Sequence, residues 1–283
     1  MSAPETVQVR LAGVPLASPV LVAAGCGGTG RELDALGGLA GVGGFTTRSI
    51  TLDARDGAAG PRVQETAAGF VHATGLQNPG LDQFLATELP WLAAHDVRTF
   101  VSVAAASLGE YADLARRLGN APGVDGIEVN LSAPDAVELG LFDAREPLQA
   151  ARVVAAVRRD LPRGLPVLAK LGHDPARVVE VARAVAEAGA DAVVLGNALP
   201  ALLPDGRVAG LSGPAIHPVA LRCVHDVRTA LPDLPIVAAG GATSAADVRA
   251  FLAAGATAVQ IGAGLLHDPT CAARAAADLG GTA

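Results

Sequence analysis

Aromatic residues make up only 3% of this 283-residue chain, so its core must be built from alanine, valine and leucine within an apolar fraction of 51%. No basic stripe interleaved with aromatics is present, and the formal net charge is −7. Both features argue against nucleic acid as a partner. Cysteine is sparse as well. Cys26, Cys223 and Cys271 are an odd number without metal-ligand spacing, which disfavours a disulfide framework or a zinc site and predicts reduced thiols. Mean hydropathy is positive, yet no run of about 18 uninterrupted apolar residues occurs, so no membrane span is predicted. The opening stretch MSAPETVQVR has no basic segment followed by an apolar one. A cytoplasmic location is the expectation.

What the chain does have is alternation. Eight short, near-continuously hydrophobic runs follow one another at residues 19–25, 43–51, 98–105, 126–132, 166–172, 192–198, 235–241 and 258–264. Strands buried on both faces read this way. Helical patterns separate them, at 81–95, 111–119, 147–161, 175–190, 244–256 and 267–279. In 175–190, Val178, Val181, Ala182 and Val185 share one face, while Asp174 and Ser244 occupy N-cap positions. Eight β/α alternations without a break in composition predict an α/β chain forming one (β/α)₈ TIM barrel domain over residues 1–283. A doubly wound open sheet shows the same alternation. However, AAGCGGTG after the first run has the wrong spacing for a dinucleotide-binding GxGxxG and lacks its acidic partner. Two stretches, 52–80 and 199–214, read as long irregular loops. In a barrel both fall on the C-terminal face, where active sites form.

Polar residues gather at the ends of the predicted strands. The second run ends in Arg48, Ser49 and Thr51, the fourth in Asn130 and Ser132, the fifth in Lys170 and the sixth in Asn197. Lys170 is flanked by apolar residues, a setting that demands a partner. Either a core acid such as Glu128 neutralises it, or it faces a ligand that carries or develops negative charge. Glycines close the last two runs, as Gly240-Gly241 and Gly262-Ala263-Gly264. In barrels this pair of loops, with a helix N-terminus, is a recurrent phosphate site. A lysine near a ring and a phosphate cradle on one rim suggest a phosphorylated cofactor, with FMN the natural candidate.

These residues resemble the class 1 dihydroorotate dehydrogenases, and more closely the subclass that works with a separate iron–sulfur/FAD electron-transfer subunit. The resemblance runs through SPVLVAAG (18–25), RSITLDARDGAAGPRVQET (48–66), GLQNPG (75–80), APGVDGIEVNLSAP (121–134), LAKLG (168–172), GLSGPAIHPVALR (210–222) and VAAGGATSAADVRAFLAAGATAVQIGAGLLHDP (237–269). It implies FMN at the barrel mouth, oxidation of dihydroorotate to orotate in pyrimidine biosynthesis, a homodimer, and the electron-transfer subunit as a partner. Carried over by position, Ala24, Gly25, Arg48, Ser49, Lys170, Ser212, Gly213, Gly240, Gly241, Gly262 and Ala263 would contact the flavin. Asn78, Asn130 and Asn197 would hydrogen-bond a small cyclic, pyrimidine-like substrate, because amides both donate and accept.

Three departures stand out. The family motif Asn-x-Ser-Cys-Pro-Asn reads here Asn130-Leu131-Ser132-Ala133-Pro134-Asp135. The family's Cys, or Ser in class 2, removes the C5 proton of the substrate, and the methyl group of Ala133 cannot. Asp135 is the substitute base on the same loop, although its charge would repel an anionic ligand. Ser132 should point the other way by strand alternation. Arg48 stands where the family has lysine, keeping the charge with a different shape. His72, His217 and Cys26 also lie on rim segments, and each is read as structural before catalytic. Three functions fit: dihydroorotate oxidation with a displaced base, action on another cyclic substrate, or a catalytically silent paralogue.

Overall fold

The computed structural model describes residues 9–95 and 97–280. Residues 1–8, 96 and 281–283, and with them most of the stretch read for targeting signals, lie outside it. Eight parallel strands close a barrel: β1 (Val20–Val22), β2 (Gly44–Thr46), β3 (Arg98–Val103), β4 (Gly126–Asn130), β5 (Val167–Leu171), β6 (Ala192–Leu195), β7 (Ile236–Ala239) and β8 (Ala258–Ile261). They pair in sequence order, and β8 pairs with β1 at Val259↔Val20. That closure excludes the open-sheet alternative. Each strand coincides with one of the eight hydrophobic runs, because every strand is packed on both faces. The outer side meets helices such as Val178–Glu187, which buries Val178, Val181, Ala182 and Val185 as the periodicity requires.

Four local features differ from the sequence reading. The helix expected from 175 begins at Val178. Asp174 accepts from the Ala176 N–H, and its carbonyl receives those of Arg177 and Val178, so it closes a turn before the helix. Ser244 does cap its helix, accepting from the Asp247 N–H. The segment expected as one helix over 81–95 contains a wider π turn at Phe84–Glu88 and ends at Ala93. Most consequential, the two long "loops" are not irregular. Val63–Thr66, Gly69–His72, Leu199–Leu202 and Val208–Ser212 form a four-stranded antiparallel sheet on the C-terminal rim, in which Ser212 pairs with Phe70 and Gly210 with His72. Strands this short carry too little periodicity to be read alone, and the partners lie far apart in sequence.

A hairpin closes the opposite end. Val9–Leu11 and Val14–Leu16 turn through Ala12 and Gly13, both at positive φ, the backbone of a tight two-residue hairpin. Leu11 and Leu16 are fully or almost fully buried, in a cluster with Leu21, Phe100, Leu168, Ala192 and Ala258 near the strand starts. The bottom of the barrel is therefore sealed by apolar side chains.

Candidate active site

At the C-terminal ends of the strands lies a cavity of about 300 Å³. Its wall brings together Ala24 and Gly25 after β1, Arg48 and Ser49 after β2, Asn130 from β4, Ala133 and Asp135 from the following loop, Lys170 from β5 and Asn197 after β6. These residues are distant in sequence. They meet because parallel strands deliver their C-terminal ends to one rim.

Polar groups there form a continuous chain. The Ser49 hydroxyl lies 2.9 Å from that of Ser102 and accepts from Asn130 Nδ2 at 3.1 Å. Asn130 Oδ1 accepts from Asn197 Nδ2 at 3.0 Å, and the same nitrogen donates to Ser132 Oγ at 3.2 Å. Asn197 Oδ1 accepts from the Ala198 N–H. This accounting leaves Asn130 with one N–H to donate and Asn197 with one lone pair to offer. A ring edge carrying adjacent C=O and N–H groups matches that pair. Ser132 also donates to the Lys170 carbonyl and lines a neighbouring cavity of about 390 Å³, turned away from this one as strand alternation predicts.

The third expected amide is placed differently. Asn78 is buried behind the wall: its nitrogen donates to Thr51 Oγ1 and the Leu76 carbonyl, and its oxygen accepts from Gly80 N–H and Thr51 N–H. Both donors and the carbonyl are consumed in shaping the turn, so this amide has nothing left for a ligand. The rim sheet and the residue leading into it supply two side chains that the sequence reading discounted or missed, His72 and Arg62. Arg62 donates to the Ala58 and Asp56 carbonyls and to Gln77, all neutral acceptors, so its charge is uncancelled. His72 Nε2 lies 3.0 Å from Ser212 Oγ, and burial lowers its pKa, which keeps the ring neutral. Its proximity could have been inferred only from the Gly210↔His72 pairing.

Charge in the site is unevenly compensated. Lys170 Nζ lies 3.1 Å from Glu128 Oε1 and donates to Gln260 Oε1 at 3.0 Å. Gln260 in turn donates to Glu128 Oε2 and Thr46. Oε1 receives no other group, so the ammonium is its sole compensation. Lys170 thus has its core acid and faces the cavity as well. The Arg48 side chain makes no hydrogen bond or ion pair with any described residue, and its Nε is buried without a partner. Glu88 approaches it: burial raises that carboxyl's pKa and the Arg48 charge partly offsets the rise. Asp135 is half-buried, and its pKa is raised by burial, with Glu138 adding to the rise and Arg55 opposing it. Burial likewise raises the Cys26 thiol on the same wall, holding it neutral.

The glycine loops have a packing reason of their own. A Cβ on Gly241 would come within 2.7 Å of the Gly213 carbonyl, and one on Gly213 within 2.5 Å of Gly69 Cα. Gly240 would meet Ala220 and His173, while Gly262 lies against Ala23 and Cys26. Ser212, Gly213, Gly240, Gly241 and Gly262 therefore pack around the cavity without lining it. Ala263 lines a further cavity of about 480 Å³, with Thr243 and His267. Gly25 is the opposite case: it has φ +82° and nothing within 4 Å of a Cβ built on it. His217 packs on Phe251 away from the cavity. Among the described residues no cluster of potential metal ligands occurs, and no helix is long and apolar enough to cross a membrane.

Residues 6–281 match the family model described as dihydroorotate dehydrogenase. The chain is 42% identical over 280 residues to the catalytic subunit of dihydroorotate dehydrogenase B (NAD(+)) from Desulforudis audaxviator, covering 96% of this chain and 90% of that one. The corresponding subunit from Anoxybacillus flavithermus is 40% identical over 270 residues, 92% of this chain and 86% of that one. Among solved structures, a dihydroorotate dehydrogenase from Eimeria tenella in complex with ferulenol matches with a TM-score of 0.81 at 18% identity, over 97% of this chain and 83% of that chain, a likeness of fold. With its whole described length matched, the chain belongs to the dihydroorotate dehydrogenase family.

Proposed function

We propose that this protein oxidises dihydroorotate to orotate, an oxidoreductase step on a CH–CH bond in pyrimidine biosynthesis, with FMN as its cofactor. The observation that carries the reading is the Asn130–Asn197 pair, with one donor and one acceptor left over, in a cavity edged by Arg48, Arg62 and Lys170. The amides suit the imide edge of the ring, and the cations suit its carboxylate.

The residues present fit a flavin. Arg48 is a cation without a protein partner, Gly25 faces open space, and Lys170 offers a positive charge at the floor. FMN bound there supplies the hydride acceptor for substrate C6. Ala24, Gly25, Ser49 and Lys170 would hold the ring, with Ser212, Gly213, Gly240, Gly241, Gly262 and Ala263 shaping the loops toward its phosphate. Asn130 and Asn197 orient the substrate, and the rim sheet excludes water from it. The C5 proton needs an acceptor other than Ala133, and the wall holds two groups able to serve, Asp135 and His72.

The relatives are named as catalytic subunits, which supports an electron-transfer partner subunit for this chain. Three free cysteines support a reducing, cytoplasmic setting, and a homodimer is the assembly the family reading carries. The test is direct. Purified protein should carry flavin absorbance that dihydroorotate bleaches under anaerobic conditions. Bound flavin left oxidised after hours with dihydroorotate would overturn the reading in favour of a different cyclic substrate.

A further inference from the structure

The side chain missing at Ala133 leaves a chemical vacancy, and the rim sheet contains a pair of groups suited to it. His72 ends the strand Gly69–His72 and is paired on both sides, with Val63 and with Gly210. Its backbone is thus fixed between two neighbouring strands, whereas Asp135 rides on the loop between β4 and the next helix. Groups held on paired strands keep a tighter geometry than groups on loops.

We infer that His72, oriented by Ser212, is the proton acceptor of the reaction in place of the absent base. The inference rests on the dihydroorotate reading and names the residue that completes it. His72 Nε2 lies 3.0 Å from Ser212 Oγ, and in the tautomer whose Nε2–H donates to that hydroxyl, Nδ1 carries a lone pair. No described residue bonds Nδ1, and it is not among the buried unpartnered atoms, so it stays open on a residue of the cavity wall. In that tautomer the ring is arranged as a base oriented by a third group.

Atoms and electrons balance as follows. The C5–H bond breaks and its proton goes to His72 Nδ1, forming imidazolium. The electron pair of that bond becomes the C5=C6 π bond as hydride leaves C6 for the flavin oxidant named above. The imidazolium then sits beside an anionic product.

Ser212 on the adjoining strand bonds His72, and the charged groups that share the cavity wall with it are Arg62 on the rim segment, Arg48 after β2, Lys170 on β5 and Asp135 on the loop after β4. Glu65, on the other neighbouring strand, lies 3.8 Å from His267. Burial holds the free imidazole below its ordinary pKa, so it is unprotonated and ready at neutral pH.

Two measurements test this on the holoenzyme. His72→Gln keeps a hydrogen-bonding partner for Ser212 but cannot take a proton. It should lower kcat about 10²-fold or more, with KM within a few-fold of wild type, and should abolish the acidic limb of the kcat–pH profile. Asp135→Asn should leave that limb in place, whatever its effect on kcat. Retention of kcat within threefold in His72→Gln, or loss of the limb in Asp135→Asn alone, would overturn the assignment. The second measurement needs neither turnover nor the variant. NMR titration of the histidine Cε1–H signals of the wild type should show one imidazole pKa rise when orotate is added. An unmoved His72 signal in a protein that binds orotate would overturn the inference alone. If orotate does not bind and dihydroorotate does not bleach the flavin, the dihydroorotate reading fails and takes this assignment with it.

Discussion

Both ends of this barrel are covered by added antiparallel strands, and the two covers do opposite things. At the bottom, the hairpin of Val9–Leu11 and Val14–Leu16 drives Leu11 and Leu16 into an apolar cluster. At the top, the sheet of Val63–His72 and Leu199–Ser212 stands over a cavity edged by cations, amides and an acid. The bottom cover contributes stability because it packs Leu11 and Leu16 against close-packed apolar side chains. The top cover leaves Arg48 without a partner and keeps Asp135 and Cys26 away from their ordinary pKa values. Unsatisfied and perturbed groups concentrate where function needs them. One end is built to hold and the other to bind.

Substitutions should separate the two ends. The largest effect is expected between them, at Lys170. Lys170→Met strips the only compensation from Glu128 Oε1 in a fully buried position, and should cost about 3–5 kcal/mol in urea unfolding. Adding Glu128→Gln should recover much of that loss. Next, Leu11→Ala at the sealed end should destabilise by roughly 2–5 kcal/mol, with flavin and orotate affinities unchanged by fluorescence titration. Altered affinities would mean that the two ends are coupled. At the open end, Ala133→Cys should raise turnover by about tenfold, less than the 10²–10⁴ of a base supplied where none exists, because His72 already serves. Smallest is Asp135→Asn. The carboxylate repels an anionic ligand when ionised, and burial places its ionisation above the ordinary range. Wild-type orotate affinity should therefore weaken as pH rises through that raised value. The variant should lose this dependence and bind about fivefold more tightly at neutral pH, the worth of roughly 1 kcal/mol between charges near 4 Å in a wet site.

The barrel itself was legible because each strand is buried on both faces, so eight hydrophobic runs announce eight strands whatever their neighbours. The chemistry at strand ends was legible in part. Asn130, Asn197, Lys170, Arg48, Gly25 and Asp135 stand at or just after predicted strands, and the fold brings them to one wall. Asn78 misled because an amide in a turn looks the same in sequence whether it faces a ligand or, as here, closes its own turn through Thr51, Leu76 and Gly80. His72 was read as structural and Arg62 escaped notice, because nothing local marks either. The place of His72 depends on strands more than a hundred residues apart pairing across the rim, as Gly210 does with it.

The family, the barrel and the alanine at position 133 are properties of the chain's local pattern, since periodicity and motif spacing need no knowledge of distant contacts. Which groups face the cavity was decided by tertiary structure alone. A polar side chain's role depends on whether its hydrogen-bonding capacity is already consumed, and that is fixed only when long-range strand pairing chooses its neighbours. By that criterion Asn78 was withdrawn from the site, and Asn130, Asn197 and His72 were left with capacity to offer a ligand.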